Sequence, residues 1–406
     1  MARRIIVVGG GPAGVFAALE AKRTDPSAEL VLLSEESCEP YEKPALSKAV
    51  LCGKALPQDA PTAGHGGVAA HGVLLACNER CVAIDRDARA VLTASGRRYA
   101  YDALVLATGS VVRELPEWPV GSPFVHYLRT QSDALALKAA LLPGRHLVLI
   151  GGGLIGLEVA ASATTLGVRS TVLERAPRIL ARVCDEATAA AIADAHRRHG
   201  VEILTGAVIS HAEATTIGVD ITTGDGQVRR ADVVAVGAGV TPNVALAAEA
   251  GLAVDDGVIV DAFCRTSDPA IYAAGDVARF PGPDGPVRLE NWRHAQDHGM
   301  VAGRNAAGGS QAYREQPSFW SEQYDLYVQG VGWTAHRADR TVHRPVAGRC
   351  PLVFRMTGDT IVSAMGVNMQ RDIAAASRLI ERRVQVDAAA LADPSRPLAA
   401  MLRQNA

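Results

Sequence analysis

The sequence has no apolar run approaching the roughly 18 residues that a membrane-crossing helix needs, and it has no charge of one sign to spare. Its 41 Lys+Arg stand against 43 Asp+Glu, for a net charge of -2. That balance argues against a nucleic-acid binder or a polybasic membrane-surface protein. Paired cysteines are missing as well. The seven cysteines (Cys38, Cys52, Cys77, Cys81, Cys184, Cys264 and Cys350) are odd in number and scattered over 406 residues, unlike a secreted disulfide scaffold. No Cys-x-x-Cys or Cys-x-x-x-x-Cys occurs, so a dithiol redox centre is not expected. Cys77 and Cys81 lack the second pair or matching histidines of a zinc site, and no metal is expected. The basic start, Arg3-Arg4, is followed by only a short apolar run, Ile5 to Val8, before glycines intervene. A signal peptide needs about 7–15 apolar residues there. These absences together predict a cytoplasmic protein with neither a membrane nor a nucleic acid as partner.

What is abundant is glycine, 39 residues, within a chain that is 48% apolar. At roughly 150 residues per domain the length suggests two or three domains. A strand-like run Arg4 to Val8 enters Gly9-Gly10-Gly11-Pro12-Ala13-Gly14, then a helical stretch Val15 to Arg23, then an apolar run Glu29 to Leu33. The same order returns with His146 to Ile150, Gly151-Gly152-Gly153-Leu154-Ile155-Gly156, a helix Leu157 to Leu166 and a strand Arg169 to Leu173. The chain therefore contains two βαβ units and reads as α/β. Late strands at Tyr101 to Gly109, Val233 to Gly239 and Ala270 to Ala274 each end in small residues, where a strand returns to a nucleotide edge. Pro57 to Gly72 reads as a surface loop. After Gly309 the texture changes to mixed strands (Leu352 to Met356, Ile361 to Val367) and a helix, Arg371 to Arg383. The segment from 311 carries twelve Arg against nine Asp+Glu, +3, whereas the preceding 310 residues are -5. A locally positive surface would suit an acidic protein partner.

Each G-x-G-x-x-G follows a strand, opens a helix and has an acid after the next strand, which is the context that gives the motif meaning. The first glycine (Gly9, Gly151) permits the tight turn. The second (Gly11, Gly153) lets a pyrophosphate approach the backbone, and the third (Gly14, Gly156) lets helix and strand pack closely. The helix N-terminus offers free N–H groups to phosphate. Glu35 and Glu174 are placed to accept hydrogen bonds from adenosine ribose hydroxyls. An acid at Glu174 favours a ribose diol over a 2′-phosphate, hence NADH over NADPH, although Arg175 next to it partly offsets this. Two dinucleotide sites in one chain imply an electron path from a mobile carrier to a resident one.

The two fingerprints, with Ala107-Thr108-Gly109, Val240-Thr241-Pro242-Asn243 and Tyr272-Ala273-Ala274-Gly275-Asp276, resemble the two-dinucleotide flavoprotein reductases of the glutathione-reductase fold. The resemblance implies two Rossmann-like domains plus a C-terminal α+β domain. It places an FAD-binding domain at 1–112, an NAD(P)H-binding domain at 113–243, a return segment of the FAD domain at 244–310 and the C-terminal domain at 311–406. Tyr41-Glu42-Lys43-Pro44-Ala45-Leu46-Ser47-Lys48, Arg288-Leu289-Glu290-Asn291-Trp292 and Phe319-Trp320-Ser321-Glu322-Gln323 are similar to segments of the ferredoxin reductases that serve bacterial Rieske oxygenases and class I cytochromes P450. Two positions depart from that family: Lys43 where it usually has Arg, and Ala45 where it has Pro. Lys43 would lose the planar fork of donors.

For FAD, the resemblance implies contacts from Gly9, Gly11, Pro12, Ala13, Gly14, Glu35, Lys43, Lys48, Ala107, Thr108, Gly109, Gly275, Asp276 and Trp292. For NADH it implies Gly151, Gly153, Leu154, Ile155, Gly156, Glu174 and Gly237. Lys48, Glu158, Glu290 and Trp320 would position the reacting rings. The electron acceptor would be a [2Fe-2S] ferredoxin or a rubredoxin, and the protein a monomer or homodimer. Flavoprotein NADH oxidases and peroxidases of this fold carry a redox cysteine after Leu-Ser, where this chain has Lys48. A thiol-independent NADH oxidase or small-acceptor reductase remains an alternative, as does an NADH-sensing flavoprotein resembling apoptosis-inducing factor. His294-Ala295-Gln296-Asp297-His298 has a metal-like H-x-x-D-H shape but no third ligand, and reads as a solvated or flavin-edge helix.

Overall fold

A computed structural model describes residues 2–334 and 337–402. The chain divides into two compact units. The first comprises residues 1–44, 56–111 and 240–315, and the second residues 45–55, 112–239 and 316–406.

In the first unit, five parallel strands lie in the order Ile271–Ala273, Ala103–Leu106, Arg4–Val8, Glu29–Leu33, Leu74–Ala76. The central strands are buried on both faces, which is why they read as unbroken Val/Ile/Leu runs and not as alternating ones. Helix Pro12–Thr24 crosses over from the first of them, with Pro12 where a missing N–H costs nothing. It packs against helix Trp292–Ala306 through small residues. A side chain at Gly299 or Gly303 would strike the backbone of Ala13 or Ala17, so the two helices sit closer than larger residues would permit.

In the second unit the parallel order is Glu202–Thr205, Arg169–Glu174, His146–Ile150, Val233–Val236, Val125–His126. Helix Leu154–Thr165 crosses over from the central strand. The same unit holds a five-stranded antiparallel sheet of the C-terminal segment, in the order Ser318–Gln323, Leu326–Gly332, Thr360–Val367, Leu352–Thr357, Arg340–Arg344. Helix Gln370–Glu381 covers one face of it with Ile373, Ala376 and Leu379. The C-terminal segment packs against the parallel-sheet part of the same unit. Val328, Met365 and Val367 share one core with Leu147 and Leu157, and Leu51 joins that core. Burying those apolar side chains together draws both 316–406 and the short stretch 45–55 into the second unit.

The Pro57 to Gly72 stretch contains two short 3-10 turns, Pro57–Asp59 and Val68–His71. All seven cysteines are free thiols. No helix among the described residues is long and apolar enough to cross a membrane.

Candidate functional site

The first glycine turn separates the work of its three glycines. Gly9 has φ +118°, and a Cβ there would run into the Ala107 carbonyl. Gly14 is pressed equally hard against the Gly9 carbonyl. Around Gly11 a Cβ would meet nothing within 4 Å. The outer two glycines are thus demanded by the fold, and the middle one is open for something that is not protein. Pro12 and Ala13 begin the helix, whose first N–H groups face that opening side of the turn.

Neighbouring residues of the same unit are held firmly. Gly109 and Gly275 have φ +65° and +75°. The Thr108 hydroxyl donates to the Asn243 carbonyl (2.8 Å), and the Asn243 N–H donates to the Gly109 carbonyl (2.9 Å). Ser110 donates to the Asp276 carboxylate at 2.9 Å. Trp292 opens its helix edge-on to Phe16. Glu35 is largely exposed, 3.8 Å from Arg80, and Lys43 bonds Glu36 at 2.9 Å while lying over the Tyr41 ring. Glu290 is exposed and paired with Arg288 at 2.7 Å.

The second turn repeats the division. Gly151 has φ +105°, and a Cβ there would lie 2.5 Å from the Gly237 carbonyl; one on Gly156 would lie 2.6 Å from the Gly151 carbonyl; around Gly153 there is nothing within 4 Å. Leu154 and Ile155 follow on the first helical turn, with Ile155 exposed. The Glu174 carboxylate accepts from the Gly152 N–H (2.6 Å) and the Ala176 N–H (2.7 Å). It is thereby fixed beside the turn.

Also in the second unit, Glu158 lies almost fully buried on helix Leu154–Thr165. Three groups from two other segments converge on its carboxylate. Lys48 Nζ is 2.9 Å from Oε2, Ser47 Oγ donates to the same oxygen at 2.5 Å, and Ser321 Oγ donates to Oε1 at 2.6 Å. Lys48 and Ser47 sit on a wide π-type turn, Leu46–Val50, an irregularity frequent at functional sites. Ser162, one helical turn after Glu158, donates to the Ser47 carbonyl at 2.7 Å and pins that turn. Trp320 precedes Ser321 on strand Ser318–Gln323.

Sequence reading singled out Lys48 and Glu158 without foreseeing that they pair, and it missed Ser47 and Ser321. Both serines lie inside quoted segments, but a serine has no periodic signature, and the contacts span 111 and 163 residues.

His294 and His298 are a correction. Neither is solvated: both are fully buried, packed with Phe280 and Tyr313. Tyr313 OH lies 2.8 Å from His294 Nδ1, and His298 Nδ1 accepts the Gly275 N–H at 3.3 Å. Burial pushes His298 down to about 3, and it pushes His294, beside it, well below the ordinary imidazole value. No group of three or more metal-ligating side chains occurs among the described residues.

Residues 3–299 match the model of the pyridine nucleotide-disulphide oxidoreductases, and residues 318–402 match that of the reductase C-terminal domain. The chain belongs to the pyridine nucleotide-disulphide oxidoreductase family. Within that family it is 40% identical, over 96% of its length and 97% of the relative's, to the ferredoxin–NAD(+) reductase component of an anthranilate 1,2-dioxygenase system from Burkholderia cepacia. It is 34% identical, over 97% of its length and 95% of the relative's, to putidaredoxin reductase from Pseudomonas putida. Among solved structures, the covalent putidaredoxin reductase–putidaredoxin complex superposes with a TM-score of 0.93 at 33% identity, covering 99% of this chain and 98% of that one. The ferredoxin reductase for the CYP199A2 system from Rhodopseudomonas palustris gives 0.92 at 33% identity, with 98% of each chain covered. The glutathione-reductase-like fold with a C-terminal domain is therefore that of this pyridine nucleotide-disulphide oxidoreductase also.

Proposed function

We propose that this chain is an NADH-dependent ferredoxin reductase, the component that feeds electrons to a [2Fe-2S] ferredoxin, or to a rubredoxin, and through it to an oxygenase or cytochrome P450. The carrying observation is the pair of glycine turns, each closed by two glycines that the fold demands and open at a third, in a chain alike over 96% of its length to a ferredoxin–NAD(+) reductase component.

The first turn would hold FAD. Its pyrophosphate is received by the helix N–H groups behind Gly11, and Asp276, held by Ser110, lies on the return segment beside Gly275. Glu35 is the acid placed for the adenosine ribose, with Lys43, Lys48 and Trp292 as further contacts. FAD, when bound, accepts a hydride from NADH and releases electrons singly to an iron–sulfur protein. The second turn would hold NADH: Gly153 leaves room for its pyrophosphate, and Glu174 accepts from its ribose diol while repelling a 2′-phosphate.

Glu158, Lys48, Glu290 and Trp320 are read as residues that orient the reacting rings, with Glu158 on the nicotinamide side. What the protein contributes is orientation and exclusion of water. A thiol mechanism has no support in the chain: Lys48 follows Leu46-Ser47, and burial together with Glu36 pushes the Cys38 thiol up, away from the reactive thiolate. We place the protein in the cytoplasm, as a monomer or homodimer.

Anaerobic stopped-flow absorbance with NADH and with NADPH tests this reading. A yellow protein that NADH bleaches faster than NADPH is expected. A colourless preparation that takes up no FAD, or one that neither nucleotide bleaches, overturns it.

A further inference from the structure

Ser321, which donates to Glu158, is itself one link of a longer chain inside the second unit. Gln323 Nε2 donates to Ser321 Oγ at 3.0 Å. Gln323 Oε1 lies 2.8 Å from His196 Nε2, and His196 Nδ1 lies 3.1 Å from Tyr324 OH. Ser321, Gln323 and His196 are each at most 1% exposed, whereas Tyr324 reaches a surface cleft that it lines with Thr164, Arg198 and His199. His199 stacks on the Tyr324 ring. No apolar core needs four linked polar groups, and each costs free energy to bury unless every donor and acceptor is matched.

A serine has a single hydroxyl proton, so Ser321 can donate to Glu158 only while its lone pair accepts from Gln323. Gln323 presents its NH2 to Ser321 only if its carbonyl oxygen faces His196. That orientation is matched only if His196 carries its proton on Nε2, which leaves Nδ1 to accept from the Tyr324 hydroxyl. Burial pulls His196 below the ordinary imidazole value, with Gln323 opposing and His199 adding to the fall, so the ring is neutral at pH 7. Reversing any link reverses all of them. With the proton on Nδ1, Gln323 would turn its NH2 to His196, its oxygen would take the Ser321 proton, and Glu158 would lose a donor.

We propose that His196, Gln323 and Ser321 are positioning residues for Glu158: a polarised hydrogen-bond chain whose direction, set at Tyr324, decides whether the nicotinamide-side carboxylate keeps its third donor. The inference rests on the reading of Glu158 given above. It assigns the C-terminal strand Ser318–Gln323 a part in the NADH half-reaction, through the amide and hydroxyl of two side chains that act by way of Glu158.

Two measurements on the FAD-loaded protein test it. In histidine 15N NMR, His196 is expected as the Nε2–H tautomer, and Tyr324→Phe, which keeps the stacked ring but removes the Nδ1 donor, is expected to shift it toward a mixture. A wild-type Nδ1–H tautomer overturns the proposal. In anaerobic stopped flow, Ser321→Ala and His196→Asn are each expected to slow flavin reduction at saturating NADH by about tenfold, the lower end of what a hydrogen bond to a charged group is worth, with the Kd for NADH unchanged. In a Glu158→Gln background both effects are expected to vanish. Slowing that persists undiminished in that background, or no slowing in either single variant while Glu158→Gln alone is slow, overturns the chain's role. Full-rate reduction in Glu158→Gln instead defeats the reading of Glu158 itself, and the NMR result then still reports on the chain's direction.

Discussion

Mild acid should weaken the first unit through its buried histidines, and the size of the effect can be calculated. His298 is fully buried, and desolvation holds its imidazole down to about 3 in the folded protein, against about 6.5 in an unfolded chain. Between those values the unfolded state carries a proton that the folded state refuses, so stability falls as pH drops below about 6.5 and continues to fall toward the native value. From pH 7 to pH 5 the loss for this one group is about 2 kcal/mol. The figure scarcely depends on the native value, because pH 5 lies well above it. His294 acts in the same direction. Urea unfolding followed by tryptophan fluorescence at pH 7, 6 and 5 measures the slope. Carboxylates add their own pH dependence, so the informative comparison is His298→Asn, whose side-chain oxygen can still accept the Gly275 N–H. The variant is expected to lose about 2 kcal/mol less than wild type over the interval. Equal losses in the two proteins would refute the assignment of a neutral, proton-refusing His298.

Other outcomes follow from the glycine turns and Glu174. Gly11→Ala, whose Cβ meets no protein atom, should cost under about 1 kcal/mol of fold stability while markedly weakening FAD retention. Gly9→Ala, at φ +118° and against the Ala107 carbonyl, should unfold at clearly lower urea; equal midpoints for the two variants would count against the division of labour. Gly303→Val forces apart helices Pro12–Thr24 and Trp292–Ala306, and chemical denaturation should show a loss of at least about 1–3 kcal/mol. Glu174→Ala should raise the Kd for NADH roughly tenfold by removing a carboxylate acceptor for the ribose. Isothermal titration giving an unaltered Kd contradicts that contact.

The strands were the most legible part of the fold, because a strand buried on both faces writes itself as an apolar run. His146–Ile150 and Glu29–Leu33 fall where the runs fall. Helix starts were read late: the helices begin at Pro12 and Leu154, inside the glycine motifs, since the turn's last residues already have helical geometry. The membership of 45–55 was not legible. It follows from Leu51 entering a core built of residues about a hundred positions away, and nothing local announces such a contact. For the same reason the convergence of Lys48, Ser47 and Ser321 on Glu158 could not be read from spacing. The H-x-x-D-H stretch read as a solvated or flavin-edge helix for want of a third ligand, and nothing in its own sequence announces the packing with Phe280 and Tyr313 that buries both histidines.

The central claim is that electrons entering as hydride leave singly to an iron–sulfur protein. It is tested most directly by mixing NADH anaerobically with a catalytic amount of the FAD-loaded protein and an excess of [2Fe-2S] ferredoxins drawn from oxygenase and P450 systems. The expected result is rapid bleaching of one such ferredoxin, two clusters reduced per NADH, because a hydride carries two electrons and each cluster accepts one. If every ferredoxin and rubredoxin stays oxidised while the same protein turns over NADH with oxygen or a quinone, the account is wrong.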